Sequence, residues 1–130
     1  MVAGFLIHDG KICIRKRPEG MVWAGLWELP GGRLQKNEPQ EKGLIRTFQE
    51  KTGLMIEVGK KVGTVKHSYT IHRVTLTGYT VCLVGKKPES LPGGACRWVS
   101  IEDLAQYAFS TGHRQLIEKF KQFWLNRNSR

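Results

Sequence analysis

The segment from Gly32 to Leu54 contains three polar residues whose spacing would bring their side chains together on a helix. Thr47, Glu50 and Lys51 lie at offsets of zero, three and four residues, so a helix would place their side chains on one face. Three carboxylates on such a face would bind Mg²⁺, a hard cation that prefers oxygen ligands and bridges to substrate phosphates. The metal would activate water and neutralise charge on a leaving phosphate. Of the three positions, only Glu50 carries a carboxylate.

Lys51 works against a divalent cation at this face. Two like charges about 4 Å apart repel each other by roughly 4 kcal/mol at an effective dielectric of about 20. The lysine could extend outward, and Glu28 or Glu41 could supply a substitute carboxylate. Glu50 has a second interpretation, as an exposed residue that pairs with Arg46 four positions earlier. Ordinary metal-dependent turnover is therefore not expected from these residues.

Strands are predicted on both sides of this segment. Val2–His8 and Lys11–Arg17 are β-rich runs, and Asp9-Gly10 between them is the strongest two-residue hairpin signal. Met55–Val65 and His72–Val84 are rich in Thr, Val, Tyr and Leu, which favour strands. The remaining predicted elements are a polar loop at Lys86–Gly94, a short strand at Arg97–Val99, a turn of helix capped by Ser100 and running through Leu104, and a helix from about Thr111 to Trp124.

The intervening helix is predicted to begin near Asn37 and to end at Gly53. Asn37 is a good N-cap, Glu38 and Pro39 suit a first helical turn, and Gly53 suits the left-handed residue that ends a helix. Gly43 inside the helix costs ~1 kcal/mol relative to Ala, which indicates that something packs closely against it. A mixed sheet with helices on both faces, an α/β fold, is the natural way to cover these elements.

Length and composition indicate one domain in a reducing, aqueous compartment. The chain has 130 residues, three cysteines without paired spacing, and no apolar run near the ~20 residues that a membrane span requires. Its formal net charge is +10 and its pI is ≈ 9.9, which raises the local concentration of phosphate-bearing partners. A well-solvated basic surface is the alternative interpretation. The surplus of positive charge mildly favours a nucleic-acid partner. We expect a cytoplasmic, nucleoid-associated protein.

The pattern from Gly32 to Leu54 resembles the Nudix box, the signature of hydrolases that act on nucleoside-diphosphate-linked substrates. The positions in register are Gly32, Glu38, Arg46, Phe48, Glu50, Gly53 and Leu54. Two of the three glutamates near the end of the box are replaced, by Thr47 and Lys51. The resemblance implies a Nudix fold, a mixed β-sheet sandwiched between helices (α/β/α), as a single domain over residues 1–130. In a working hydrolase it would assign catalysis to Glu50 and Arg46, and Mg²⁺ binding to Gly32 and Glu50.

Segments outside the box resemble two Nudix groups, the MutT-like hydrolases of oxidised nucleotides and the C-terminal domain of MutY-type adenine DNA glycosylases. Arg17–Gly20 and Ala24–Gly32 are similar to both groups, whereas Val65–Leu76 and Arg97–Arg114 favour the glycosylase domain. That resemblance implies recognition of 8-oxoguanine opposite adenine in double-stranded DNA. It also implies a separate N-terminal glycosylase domain, which would carry an iron–sulfur cluster, while this domain would need no cofactor.

The glycosylase resemblance assigns lesion contacts to the turn between two predicted strands. Tyr69 would wedge beside the lesion pair, and Thr70 would hydrogen-bond the oxidised base. Ile71 departs from the histidine expected there, and His72 follows one residue late, although Ile71 could still act as an apolar wedge. An ordinary strand-end pair is the alternative interpretation of Tyr69 and Thr70.

Two further residues are candidates for DNA contact. Trp23, in the loop before the box, could stack on a base, whereas Trp27 is more typical of a core residue. Arg114, together with His113, could contact phosphate at the start of a helix, and a surface or capping role fits both residues equally well.

These observations lead to three hypotheses from different functional classes. The leading one is a non-catalytic lesion-recognition domain of an adenine glycosylase in base-excision repair. The alternative is a Mg²⁺-dependent, MutT-like hydrolase of oxidised or other nucleoside triphosphates, which would use Glu50 plus substitute ligands. The third is a protein-interaction module on an inactive Nudix scaffold. One scaffold hosts many functions, so the fold alone does not choose among them.

Overall fold

The first strand carries apolar residues on both of its faces, which is typical of a strand that is covered on both sides. In the computed structural model, which describes residues 1–17, 25–69, 72–85 and 96–128, this strand is β1 (Val2–His8) and it turns at Asp9-Gly10 into β2 (Lys11–Lys16). The φ angles of Asp9 and Gly10 are 54° and 75°, as a type I′ hairpin turn requires. The other elements are β3 (Trp27–Glu28), β4 (Gly31–Gly32), α1 (Gln40–Thr52), β5 (Ile56–Tyr69), β6 (His72–Leu83), β7 (Cys96–Ser100), a 3₁₀ helix (Glu102–Gln106) and α2 (Thr111–Asn128).

One parallel pairing makes the sheet a mixed one. β1 runs parallel to β6, with Val2 opposite Thr77 and Leu6 opposite Val81. The other pairings between the described strands are antiparallel. The strand order is β3-β2-β1-β6-β5, with β4 paired to β1 and β7 paired to β2. β1 therefore lies in the middle of the sheet.

The two helices cover opposite faces of that sheet. Val2 and Leu6 of β1 belong to the apolar cluster that contains Phe48 of α1. Phe5 points to the other face, because side chains alternate along a strand, and its ring stacks on Phe120 of α2 with the ring centroids 4.2 Å apart. Each of these large side chains contributes about 1.5–3 kcal/mol when it is fully buried. The predicted α/β/α arrangement is confirmed.

The predicted N-cap of α1 is wrong by two residues. The helix begins at Gln40 with Pro39 as its N-cap, and Asn37 has a φ of 62°, so it is not the cap. The reason is Pro39, because a proline disfavours helical geometry in the residue that precedes it. The predicted end is confirmed, since Gly53 has a φ of 74° and its N–H donates to the Gln49 carbonyl at 2.8 Å.

Several other predicted boundaries shift in the structure. β5 and β6 form a longer hairpin than expected, and α2 continues past Trp124 to Asn128. Ser100 does not cap the 3₁₀ helix, because it is the last residue of β7 and Ile101 occupies the N-cap position. The loop predicted at Lys86–Gly94 lies outside the described residues. No helix within the described ranges is long and apolar enough to cross a membrane.

Candidate functional site

A close backbone approach places the Gly31-Gly32 pair over helix α1. Gly31 has a φ of 152°, and a Cβ there would collide with the Val2 carbonyl oxygen, so only glycine fits where β4 meets β1. Gly32 is buried, and a Cβ built on it would lie 3.2 Å from Thr47 Cγ2 and 3.3 Å from Lys51 Nζ. The close contact of β4 with α1, called the cleft below, therefore brings together Gly32 and two of the three positions at which metal ligands were expected.

Arg46 binds the loop before α1. It also binds Glu50, which is the carboxylate that remains among the three positions at which metal ligands were expected. Its Nε and Nη2 donate to the two oxygens of Glu38 at 2.8 and 2.9 Å, and Nη2 also donates to the Arg33 carbonyl at 3.0 Å. Its Nη1 donates to both oxygens of Glu50, at 3.0 and 3.2 Å. Arg46 thus fixes the loop that leads from β4 into α1.

These contacts change the acidity of both partners. Hydrogen bonds from Arg46 and from the backbone N–H of Gln35 lower the pKa of Glu38 to about 2. Hydrogen bonds to Glu38 and Glu50 raise the pKa of Arg46 above its usual range. Glu38 therefore stays ionised at any ordinary pH, and the Arg46–Glu38 pair is a permanent part of this loop.

The Thr47 hydroxyl and the Glu50 carboxylate are both engaged by other groups of α1. The Thr47 hydroxyl donates to the Gly43 carbonyl at 2.8 Å, and its methyl group is the part that faces Gly32. The Glu50 side chain is 57% exposed and is held by Arg46. The geometry matches the interpretation of Glu50 as an exposed partner of Arg46.

Lys51 directs its ammonium group into the cleft. The side chain is half-buried, and burial lowers the pKa of Lys51. The positive charges of Arg15 and Arg17 also lower this pKa, whereas the negative charges of Glu28 and Glu50 raise it. In the described part of the chain, the Lys51 ammonium has no hydrogen-bond or ion-pair partner.

Glu28, one of the two proposed substitute ligands, is committed to two arginines. Its carboxylate is 5% exposed, and it accepts from Arg15 Nη1 at 2.8 Å and from Arg17 Nη1 at 3.0 Å. Sequence reasoning missed both arginines. The available signal was an acidic residue between Trp27 and Leu29 in an apolar strand, since a buried carboxylate requires a cationic partner.

The donors around this cleft do not fit Mg²⁺. Glu50 is held by Arg46, Glu28 is held by Arg15 and Arg17, and the Lys51 ammonium stands beside Gly32. Glu41, the other proposed substitute, is exposed and lies about 15 Å from Lys51 along the axis of α1. Within the described ranges, no group of three or more His, Cys, Asp or Glu side chains could hold a metal ion.

The structure leaves most of the predicted lesion contacts undescribed. Tyr69 and His72 face each other at the tip of the β5–β6 hairpin, but their side chains are not among those described. Thr70, Ile71 and Trp23 lie outside the described residues.

The residues predicted at the helix start separate into two environments. His113 is buried, and its Nδ1 accepts from the Leu29 backbone N–H at 3.2 Å, so it is not exposed to phosphate. Arg114 is exposed and lines a small pocket of about 110 Å³ with Tyr107 and Phe109. Trp27 is half-buried, with the Arg97 guanidinium 5.5 Å from its ring centroid, so it packs within the protein.

A model of the NUDIX domain family matches residues 2–119. The CTP pyrophosphohydrolase of Escherichia coli (strain K12) is 29% identical over 120 residues, which are 92% of this chain and 89% of that protein. The 8-oxo-dGTP diphosphatase of Proteus vulgaris is 34% identical over 82 residues, 62% of this chain and 73% of that protein. The solution structure of the E. coli ORF135 protein superimposes with a TM-score of 0.81 at 28% identity, covering 99% of this chain and 92% of that one.

Glycosylase relatives match in a different way. The adenine DNA glycosylase of Mus musculus is 27% identical over 112 residues, 85% of this chain but 22% of that protein. The C-terminal domain of mouse MUTYH, in complex with human PCNA, superimposes with a TM-score of 0.74 at 23% identity, covering 94% of this chain and 86% of that one, and shares the fold.

The chain belongs to the NUDIX domain family, as the box, the fold and the family match agree. The relatives matched over most of both lengths are nucleotide pyrophosphohydrolases. The expectation of a glycosylase domain rests on matches that span about a fifth of the glycosylase.

Proposed function

We propose that this protein binds nucleoside triphosphates in the cleft between β4 and α1 and has lost the rapid Mg²⁺-dependent hydrolysis of the complete Nudix box. The observation that carries the proposal is the likeness to a CTP pyrophosphohydrolase over about nine-tenths of both chains, combined with an altered metal face. Nucleoside triphosphates are thus the expected ligand class.

The charges of the cleft support the binding of a polyphosphate. Arg15, Arg17 and Lys51 form a cationic cluster in which both arginines act on the charge of Lys51. Two carboxylates act on Lys51 as well, Glu28, which both arginines hold, and Glu50, which Arg46 holds. Fixed cations in a partly buried site attract phosphate more strongly than they do in water.

The same residues argue against efficient hydrolysis. A divalent cation in a complete box supplies an activated water and neutralises the leaving phosphate. Here the Thr47 hydroxyl is bonded to its own helix and Glu50 is bonded to Arg46, so neither side chain is set to hold that cation. The cleft is therefore built to bind phosphates without cleaving them.

A nucleotide panel that includes CTP and 8-oxo-dGTP tests the proposal. Binding is measured by isothermal titration calorimetry and cleavage by phosphate and pyrophosphate release, each with and without Mg²⁺. We expect at least one nucleoside triphosphate to bind, with release no faster than in buffer. In the double variant T47E/K51E, which restores the box glutamates, we expect Mg²⁺-dependent release to appear.

Two outcomes would overturn the proposal. Binding of no nucleotide in the panel would remove its ligand class. Mg²⁺-dependent release by the unmodified protein, abolished in Glu50→Gln, would show instead an ordinary Nudix hydrolase.

Recognition of 8-oxoguanine in DNA is the second candidate, because a basic groove lies beside the tip of the β5–β6 hairpin. The groove has a volume of about 440 Å³ and is lined by Lys66, Ser68, Arg73, Val74 and Thr75. One of its lining residues, Ser68, directly precedes Tyr69 in β5. The resemblance to glycosylases gives Tyr69 a contact with the lesion. The match to the mouse glycosylase also spans most of this chain.

Duplexes with and without an 8-oxoguanine:adenine pair distinguish this candidate. A domain that recognises the lesion would bind the modified duplex more tightly. Tyr69→Ala would remove this preference and leave the salt-dependent attraction to the DNA phosphates. Equal affinity for both duplexes, or equal weakening of both by Tyr69→Ala, would leave only a basic surface.

A further inference from the structure

The ammonium group of Lys51 lies against Gly32, at a position where the Nudix box has a glutamate. Its Nζ lies 3.3 Å from the position that a Cβ on Gly32 would occupy, and the side chain is half-buried in the cleft. The lysine has not extended outward to solvent, although its long stem would allow that. A cation is therefore part of the cleft itself.

The charge of Lys51 has no close partner among the described residues. In those ranges the Lys51 ammonium has no hydrogen-bond acceptor. Its side chain is half-buried, so the ammonium stays open to solvent. An ammonium group has three donors and no acceptor, so this group is available to an external ligand with acceptor oxygens.

The surroundings of Lys51 prevent it from being satisfied internally. The Glu28 carboxylate is held by Arg15 and Arg17 at 2.8 and 3.0 Å, and Glu50 is held by Arg46. Because both nearby carboxylates already have close cationic partners, the remaining positive charge is left for an external anion.

We propose that Lys51 takes the place of a divalent cation in this cleft, so that the protein binds the phosphate chain of its ligand directly and without a metal ion. The proposal rests on the proposed function for the identity of the ligand, a nucleoside triphosphate. The Lys51 ammonium donates to phosphate oxygens, while Arg15 and Arg17 add long-range attraction from the side of Glu28.

Inorganic tripolyphosphate is the probe, because it presents the phosphate chain without a base or a sugar. Its affinity for the 130-residue chain is measured by isothermal titration calorimetry in EDTA and again in millimolar Mg²⁺. We expect binding in EDTA and weaker apparent binding in Mg²⁺, since the metal competes for the phosphate oxygens.

Lys51→Met retains the length of the side chain and removes its charge. We expect it to weaken tripolyphosphate binding in EDTA by about tenfold or more, because a charge-assisted hydrogen bond is lost. Lys42→Met, an exposed position on the same helix, is the matched control and is expected to change the affinity by less than about twofold. If Lys51→Met does not fold, as judged by its melting curve, Lys51→Gln replaces it.

Binding that requires Mg²⁺, or equal affinity of the wild-type protein and Lys51→Met, would overturn the inference. The two proposals fail separately. Nucleotides that bind only with Mg²⁺ and independently of Lys51 would leave the proposed function standing without this inference. Tripolyphosphate binding that depends on Lys51, with no nucleotide bound, would retain the metal-free phosphate site and remove the proposed function.

Discussion

Glu50 shows how a residue can keep its position in a motif while its side chain serves another purpose. It is in register with the box, yet both of its oxygens accept from Arg46. Arg46 in turn bonds Glu38 and the Arg33 carbonyl, so one guanidinium joins the loop to the helix. The role of a single carboxylate therefore depends on its hydrogen-bond partners as well as on its position in the motif.

The ion pair of Glu38 with Arg46 predicts a defined acid sensitivity. The pKa of Glu38 is lowered from 4.5 to about 2 in the folded protein, so protonation is harder in the native state than in the unfolded state. The stabilisation is complete above pH 4.5 and is lost as the pH falls through about 2. We expect Glu38→Gln to be less stable than the wild type at neutral pH and to lose less stability between those two pH values.

Urea unfolding at a series of pH values between neutral and acid measures this effect. Glu41→Gln, an exposed carboxylate in the first turn of α1, is the control and should follow the wild-type curve. Parallel curves for wild type and Glu38→Gln across the acid range would contradict the assigned role of the pair.

At the scale of single elements, the packing around Gly43 sets where α1 can lie. A Cβ on Gly43 would collide with Leu34 Cδ2 and would lie 3.0 Å from Glu38 Oε1. The close packing expected at this glycine is therefore present, and the loop after β4 lies directly against the helix. The same loop contains the Arg33 carbonyl that Arg46 binds.

Gly43→Ala is expected to destabilise the protein by about 1–3 kcal/mol, because overpacking outweighs the ~1 kcal/mol that alanine adds to a helix. Chemical denaturation measures the change. In a Leu34→Ala background the collision with Leu34 is removed and the tight contact with Glu38 remains, so there the same substitution should destabilise the protein less. Lys42→Ala, on the exposed side of α1, is the control. A stabilised Gly43→Ala in the wild-type background would mean that the loop can move away from the helix.

The elements that could be predicted were those fixed by local chemistry. The Asp9-Gly10 turn, the end of α1 at Gly53 and the apolar faces of both helices follow from neighbours in the sequence. The start of α1 was misplaced, because the restriction that Pro39 places on Glu38 was not weighed against the capping preference of Asn37.

The cationic cluster could not be predicted, because its members come from separate elements. Arg15 lies on β2, Glu28 on β3 and Lys51 on α1, and only the folded sheet brings them together. The sequence identified Lys51 as an obstacle to a metal, but its direction into the cleft depends on the packing of α1 against Gly32.

For the whole molecule, the net charge of +10 predicts that salt stabilises the fold. A large charge of one sign destabilises the compact state by self-repulsion, and salt screens that repulsion with a Debye length of ~10 Å at 0.1 M. We expect the melting temperature to rise as NaCl increases from about 0.02 to 0.5 M. Differential scanning calorimetry measures this response.

A charge-reversed variant provides the comparison. Lys60 and Lys61 are exposed on β5, and the double variant K60E/K61E lowers the formal net charge from +10 to +6, two units for each exchange. Its melting temperature should depend less on NaCl. A wild-type melting temperature that falls with NaCl would show that attractive ion pairs dominate the electrostatics of the fold.

The parallel pairing of β1 with β6 has a consequence for how the chain is made. Val2 lies opposite Thr77, so β1 leaves the ribosome well before its parallel partner β6 and has to wait for that strand to be synthesised. At about 5–20 residues per second, that interval lasts several seconds. During it, the β1–β2 hairpin presents an unpaired apolar edge, which is the kind of surface that aggregates or is held by chaperones. The yield of this protein in a cell should therefore depend on translation speed and chaperone supply as well as on the stability of the finished fold.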